Sequence, residues 1–246
     1  MDPSKFEQRI FSQNGEDGVS LMLCEFLYAD KDDKYYVEIG AADGVECNTR
    51  ILREKLQWDG LQLDGGCSNP VINLQKEFIT RENVIDVLKK YNVPKHINYL
   101  SVDIDFNDLY ILHEILQNYT CDIIVTEHNA THPPGEDKVV IYDANYTWDW
   151  TNYFGASITA FNNLAIDYGY TLVYSDSVGV NLFFIRDECL KNSKLYFKNQ
   201  GDPQKLYNLP RYSCGPMGGH PQDPKNRPYT SYSSISMGIG SISRTT

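Results

Sequence analysis

The sequence has no C-x-x-C pair, no Gly-x-Ser-x-Gly elbow and no Gly-Lys-Ser/Thr following a glycine loop. Without the elbow an α/β-hydrolase site is disfavoured, and without the lysine motif there is no P-loop. The six cysteines, Cys24, Cys47, Cys67, Cys121, Cys189 and Cys214, are too scattered for a thiolate zinc site. Reduced thiols in apolar stretches act as small hydrophobes, and the cytoplasm is the expected compartment. No apolar run approaches the ~20 residues of a membrane span. Met1 to Lys5 lack the basic-then-apolar pattern of a secretory leader. Cations are scarce: 22 Lys+Arg stand against 33 Asp+Glu, a net charge of −11. No Lys/Arg run forms a patch, so neither nucleic acid nor an anionic membrane is an expected partner.

What is present fits a folded protein: 246 residues, 41% hydrophobic and 22% charged. Strand-like and helix-like segments alternate. Strands are expected at Tyr35 to Gly40, Leu61 to Asp64, Ile97 to Asp103 and Cys121 to Glu127, with a short one at Phe78-Ile79. Helices are expected at Val19 to Tyr28, Asn48 to Gln57, Arg81 to Tyr91 behind a Thr80 cap, Leu109 to Gln117 and Ala156 to Asp167. Tyr170 to Tyr174 and Asn181 to Arg186 are too close for a helical crossover and should pair antiparallel. The expected fold is α/β: a doubly wound, mostly parallel seven-stranded sheet with an antiparallel terminal hairpin. Residues 1–200 would form this domain, 201–228 an irregular C-terminal lid rich in Gly and Pro, and 229–246 a flexible tail.

In such a sheet, ligands bind beyond the carboxyl ends of the strands. Four of the five parallel strands end in acids: Glu38, Asp64, Asp103 and Glu127. Asp is common in turns, so each acid alone has a structural explanation, but their shared position favours a site. Gly40 and Gly44 in Glu38-Ile39-Gly40-Ala41-Ala42-Asp43-Gly44 allow a tight turn and a close approach of ligand. The loop is not G-x-G-x-x-G, and Glu38 points to a cationic or hydroxyl-rich ligand rather than a bare pyrophosphate. Asp64 stands where an acid takes the two hydroxyls of an adenosine ribose.

These features resemble a class I S-adenosylmethionine-dependent methyltransferase, and more closely the FkbM-like group, many of whose members methylate sugar hydroxyls. The resemblance rests on an ordered series of blocks across residues 10–190. They are Phe11 to Gly18, Val37 to Gly44, Leu100 to Asp105, Tyr153 to Ser157 and Val180 to Arg186. It implies a Rossmann-like methyltransferase fold with an antiparallel strand inserted into the sheet. It implies S-adenosylmethionine held by Ser12, Gln13 and Asn14 at the methionine carboxylate, and by Glu38, Gly40, Ala41, Asp43 and Gly44 around the methionine portion. Asp64 would hold the ribose, and Asp103 would lie near the transferable methyl. For Ser12 to Gly18 a plain helix cap is an equal alternative.

Some class I sugar O-methyltransferases hold a divalent ion with three carboxylates at the fourth and fifth strand ends. Here the expected ligands are Asp103, Glu127 and His128, with the histidine shifting preference from Mg²⁺ toward Mn²⁺. The alternative is that His128 caps the strand or acts as a general base without metal. A sugar hydroxyl is a poor nucleophile, so a proton acceptor or Lewis acid must act on it. The candidate bases are Asp103, Asp105, His128 and His132. The aromatic segment Tyr142 to Phe154 is expected mostly to pack, with one or two rings reserved for substrate. Residues 209–220, with Arg211, Tyr212 and His220, would close the same cleft.

The expected activity is methyl transfer to a hydroxyl of a sugar, nucleotide sugar or glycoconjugate. N-methylation, methylation of a small phosphorylated metabolite, and a non-catalytic binding subunit of the same fold remain alternatives. The expected partners are S-adenosylmethionine, a small-molecule or glycan acceptor and a divalent metal (Mn²⁺ or Mg²⁺). An oligomer is compatible with the sequence.

Overall fold

A computed structural model describes residues 1–28 and 34–242. Its centre is a seven-stranded sheet in the order β3-β2-β1-β4-β5-β8-β7. The strands are β1 (Tyr35–Ile39), β2 (Asp59–Asp64), β3 (Leu74–Lys76), β4 (His96–Val102), β5 (Thr120–Glu127), β7 (Tyr170–Ser175) and β8 (Asn181–Arg186). β1 to β5 pair parallel, while β8 lies antiparallel between β5 and β7. This is the expected doubly wound, mostly parallel sheet with its antiparallel hairpin.

Side-chain alternation along the strands sorts the core into two layers. Val37, Ile39, Leu61, Leu63, Leu100 and Val102 face one side, with α3 (Val84–Lys90), α4 (Asp108–Asn118) and α5 (Ile158–Asp167). Each such fully buried side chain contributes roughly 1.5–3 kcal/mol. Tyr36, Tyr99, Ile123, Val125 and Phe183 face the other, with α1 (Glu16–Tyr28), α2 (Arg50–Lys55) and α6 (Asp187–Ser193). Near the carboxyl ends, the second face turns polar. Glu38, Gln62 and Ser101 are buried there, and Asn48 Nδ2 donates to Ser101 Oγ at 3.1 Å.

Three local differences from the sequence expectation have physical causes. The edge strand is Leu74–Lys76 rather than Phe78-Ile79; it pairs with β2 through Gln62↔Leu74, and Phe78 is half exposed. Thr80 does not cap α3: the helix starts at Val84, and Asn83 Oδ1 instead accepts from Thr80 N. The segment expected as a flexible tail contains β9 (Tyr229–Thr230) and α8 (Tyr232–Ile242). β9 pairs antiparallel with β6 (Val139–Val140), and Tyr232 is buried in the first core layer. Residues 243–246 lie outside the described set. The 201–228 segment is mostly irregular, apart from the short α7 (Pro203–Leu206) and a 3₁₀ turn at Pro216–Gly218. No described helix is long and apolar enough to cross a membrane.

Candidate active site

A cavity of about 770 Å³ opens at the carboxyl ends of β1, β2, β4 and β5, beside the start of β8. Its floor carries Glu38, Gly40, Asp64, Asp103 and Glu127, so all four strand-end acids reach one space. Gly40 explains the close convergence. Its φ is +91°, and a Cβ there would lie 1.6 Å from the Asp103 carbonyl oxygen.

Glu38 is the anchor of the first loop. Its Oε1 accepts from Asn48 N at 2.8 Å, and its Oε2 accepts from Thr49 N at 3.1 Å and Gln62 Nε2 at 3.0 Å. The carboxylate thus ties residues 40–49 to the sheet while still lining the cavity. Asp64 organises two loops. Oδ2 accepts from Ala42 N at 3.0 Å, while Oδ1 accepts from Gly66 N at 2.7 Å and Cys67 N at 2.9 Å. These contacts account for Gly65-Gly66-Cys67: the turn folds back on the acid, and a Cβ at Gly65 would press on Phe78 at 3.1 Å. Oδ2 carries a single protein bond and keeps a lone pair for a hydroxyl donor.

The other expected cofactor residues divide. Gln13 lines the cavity. Ser12 does not; its Oγ accepts from Asp17 N at 3.1 Å, and Asp17 Oδ2 accepts from Ser12 N at 2.7 Å, which is a reciprocal helix cap. Asn14 is likewise held by Glu16, its N donating to Oε2 at 2.8 Å. Ala41 is fully buried, and its neighbour Ala42 faces the cavity instead. Asp43 is exposed and accepts from Val45 N at 3.0 Å. Gly44 turns toward Ile72, where a Cβ would sit 2.4 Å from that side chain.

In the same cavity as Asp64, the acids Asp103, Asp105 and Glu127 each offer a carboxylate oxygen, all within 4.8 Å of one another. Asp105 enters this group through a left-handed backbone, φ +64°. His128 is not part of it. It follows Glu127 directly, and consecutive strand residues point to opposite faces. Its buried ring donates from Nδ1 to Val180 O at 2.9 Å, and burial holds its pKa down at about 4. The structure does not bring His132 to the large cavity either. His132 borders a separate hollow of about 210 Å³ with Asp223, Arg227 and Tyr229, and burial lowers its pKa to about 4.

The carboxylate group is electrostatically crowded. Burial raises Asp103 well above the usual range, and the charges of Asp105, Asp108 and Glu38 add to the rise. Burial also raises Glu127, aided by Asp103 and Asp105. Asp105 is raised by burial and by Asp64. Behind them burial lifts Asp108 to about 7. Glu127 Oε2 is buried with no partner among the described residues. A hard divalent cation would relieve the repulsion and occupy that oxygen, so the residues fit such an ion.

The aromatic loop forms the outer wall. Tyr146, Trp148 and Trp150 line the cavity, whereas Tyr142, Tyr153 and Phe154 do not. From 209–220, Tyr212 and His220 reach it, but Arg211 does not. His220 packs edge-on to Trp148 with centroids 4.5 Å apart. Among the cavity residues to which the sequence reasoning gives no role are Asn107 and Asn181. Asn181 begins β8 and pairs directly with Glu127, so an antiparallel strand brings its amino end to the carboxyl end of β5. Its Nδ2 donates to Glu16 Oε1 at 2.8 Å.

The chain matches no protein-family model and no curated protein. Solved structures resemble it distantly. One, a ribosomal RNA methyltransferase of Plasmodium falciparum, is 14% identical, covers 68% of this chain and 93% of its own, and gives a TM-score of 0.38. A SAM-dependent methyltransferase of Aquifex aeolicus is 12% identical, covers 75% and 97%, and gives 0.33. LepI, in a structure with SAH and a substrate analogue, is 17% identical, covers 67% and 46%, and gives 0.37. Likenesses this distant add nothing to the functional argument, which stands on the residues of the cavity.

Proposed function

We propose that the protein is an S-adenosylmethionine-dependent O-methyltransferase acting on a hydroxyl of a sugar, nucleotide sugar or glycoconjugate. The observation that carries this reading is that one cavity is lined both by Asp64 and by the Asp103–Asp105–Glu127 group. The FkbM-like resemblance of the sequence blocks agrees with it. Bound S-adenosylmethionine would supply an electrophilic methyl carbon on a sulfonium.

The chain's own residues then have separable tasks. Asp64 Oδ2 would accept from the ribose, while its other contacts hold both flanking loops in place. Glu38 fixes the loop that lines the methionine end, and Gln13 covers it. Asp103, Asp105 and Glu127 lie where an acceptor hydroxyl loses its proton. A carboxylate with raised proton affinity is a better base than an ordinary one. The same three oxygens would hold Mg²⁺ or Mn²⁺, which would supply Lewis acidity to the hydroxyl. With His128 outside the group, the donors are all oxygen, and the reason to favour Mn²⁺ over Mg²⁺ disappears. Much of the acceleration would come from alignment of acceptor and donor in one space.

The test is release of S-adenosylhomocysteine from wild type and Asp103→Asn, with hydroxyl and amine acceptors and with or without Mg²⁺ or Mn²⁺. Turnover on hydroxyl acceptors that Asp103→Asn reduces at least ~100-fold supports the reading. Turnover on amines alone, insensitive to Asp103→Asn, supports N-methylation instead. Binding of neither cofactor form would overturn the methyltransferase reading and favour the non-catalytic binding subunit.

A further inference from the structure

The charge inventory of the cavity is one-sided. Among the described residues, no Lys or Arg lines it, and its acids fall into two sets. Four are engaged. Glu38 and Asp64 accept backbone N–H groups, Glu46 pairs with Arg9 at 2.8 Å, and Glu77 pairs with Lys90 at 2.5 Å. Asp103, Asp105 and Glu127 have no cationic partner among the described residues. Even a divalent ion held by all three would leave one net negative charge.

A second observation concerns atoms outside that acidic set. Asn107 Oδ1, Asn181 Oδ1 and Tyr212 OH are buried, have no hydrogen-bond partner among the described residues and belong to residues lining this same cavity. Asn107 is 5% exposed and Asn181 3%. Their amide nitrogens are already committed, Asn107 Nδ2 to Asp143 O at 2.9 Å and Asn181 Nδ2 to Glu16 Oε1 at 2.8 Å. Those bonds fix each amide so that the oxygen remains free. A buried acceptor left unpaired is costly, so such oxygens mark where a ligand's donors belong. Beside them Tyr146, Trp148 and Trp150 line the cavity, and Trp150 is 74% exposed. Aromatic faces attract the C–H faces of sugar rings and ammonium groups, and repel anions.

We propose that the acceptor is a polyol without phosphate or carboxylate, uncharged or amine-bearing, whose donors pair with Asn107, Asn181 and Tyr212 against the Trp148–Trp150 wall. This rests on the O-methyltransferase reading and narrows it: nucleotide sugars and phosphorylated metabolites are excluded by charge. A phosphate dianion would have to approach this acidic cluster with no Lys or Arg among the described lining residues to offset it. An amine would gain from the same field.

The protein holds three tryptophans, and two line the cavity while Trp58 is buried elsewhere. Their fluorescence reports acceptor binding in the presence of S-adenosylhomocysteine. The probes are methyl glucoside, glucosamine, glucose 6-phosphate and UDP-glucose. The expected result is saturable change with the first two and at least about tenfold weaker binding of the phosphorylated pair. Tyr212→Phe should weaken the first two by about two- to tenfold, with S-adenosylhomocysteine affinity unchanged. It removes an oxygen that bonds nothing among the described residues, so a structural role alone would leave sugar binding unmoved. Preferential binding of the phosphorylated probes, or no response to any probe, overturns the proposal. Calorimetric binding of S-adenosylhomocysteine to the same sample shows separately whether the methyltransferase reading holds.

Discussion

Gly40 and Asp103 meet backbone to backbone: a Cβ on Gly40 would lie 1.6 Å from the Asp103 carbonyl oxygen. The first glycine loop and the end of β4 therefore share one surface, and the proposed cofactor and acceptor regions would be joined there. Gly40→Ala combines this clash with a left-handed φ of +91°. It should cost about 2–4 kcal/mol of stability and separate the two regions. Thermal unfolding and cofactor titration check this; a variant equal to wild type in both contradicts it.

Arg227 clamps the aromatic wall from the C-terminal segment. It donates to Asp149 Oδ2 at 2.7 Å, Thr151 Oγ1 at 3.2 Å and the Tyr146 hydroxyl, and pairs with Asp223 at 3.0 Å. Its guanidinium also lies 4.2 Å from the Tyr153 ring centre. Arg227→Ala should raise the KM for acceptor by roughly tenfold while leaving cofactor affinity intact, and Lys should not rescue the fork. Arg227 holds Asp223 down at about 2, so this clamp contributes fully above pH ~4 and is lost as pH falls through ~2. Equal rises in KM for acceptor and in Kd for cofactor would contradict a local clamp.

The carboxylate group gives the opposite pH sign. Asp103 and Glu127 are raised in the fold, first by burial and then by each other's neighbours, and Asp108 reaches about 7. The folded protein therefore holds protons that the unfolded chain releases near pH ~4. The stability from these groups is complete below that value and lost as pH rises through their folded values. Denaturant unfolding should show falling stability between about pH 4 and pH 7. Glu127→Gln should be more stable than wild type at about pH 8 by on the order of 1–3 kcal/mol. A less stable Glu127→Gln at that pH contradicts the account.

If the same oxygens hold a divalent ion, Mn²⁺ or Mg²⁺ should raise the melting temperature of wild type, because a ligand of the folded state stabilises it by mass action. Asp105→Asn should abolish most of that rise while leaving the metal-free protein no less stable. An equal rise in both proteins would place the ion elsewhere.

The sheet was legible because its strands are apolar runs ending in acids, as in Cys121 to Glu127. Position beyond a strand end was legible for Asp64, Asp103 and Glu127. Choice among neighbours was harder. His128 could have been set aside from strand alternation alone, but Asp105 enters through a left-handed residue that no pattern announces. The edge strand Leu74–Lys76 has one fully buried residue and no apolar run. β6 and β9 are two residues each and join Val139 to Thr230, a pairing that local patterns cannot carry. Asn181 was hidden for a related reason: it reaches the site through the register of β8 on β5.

Asp64 is the residue on which the proposed cofactor site is built. The most direct measurement is calorimetric titration of S-adenosylmethionine and S-adenosylhomocysteine into wild type and Asp64→Ala, with folding checked by thermal unfolding. Micromolar-range binding to wild type and at least ~100-fold weaker binding to a folded Asp64→Ala are the expected results. Absence of binding to wild type, or equal affinity in the two proteins, would contradict it.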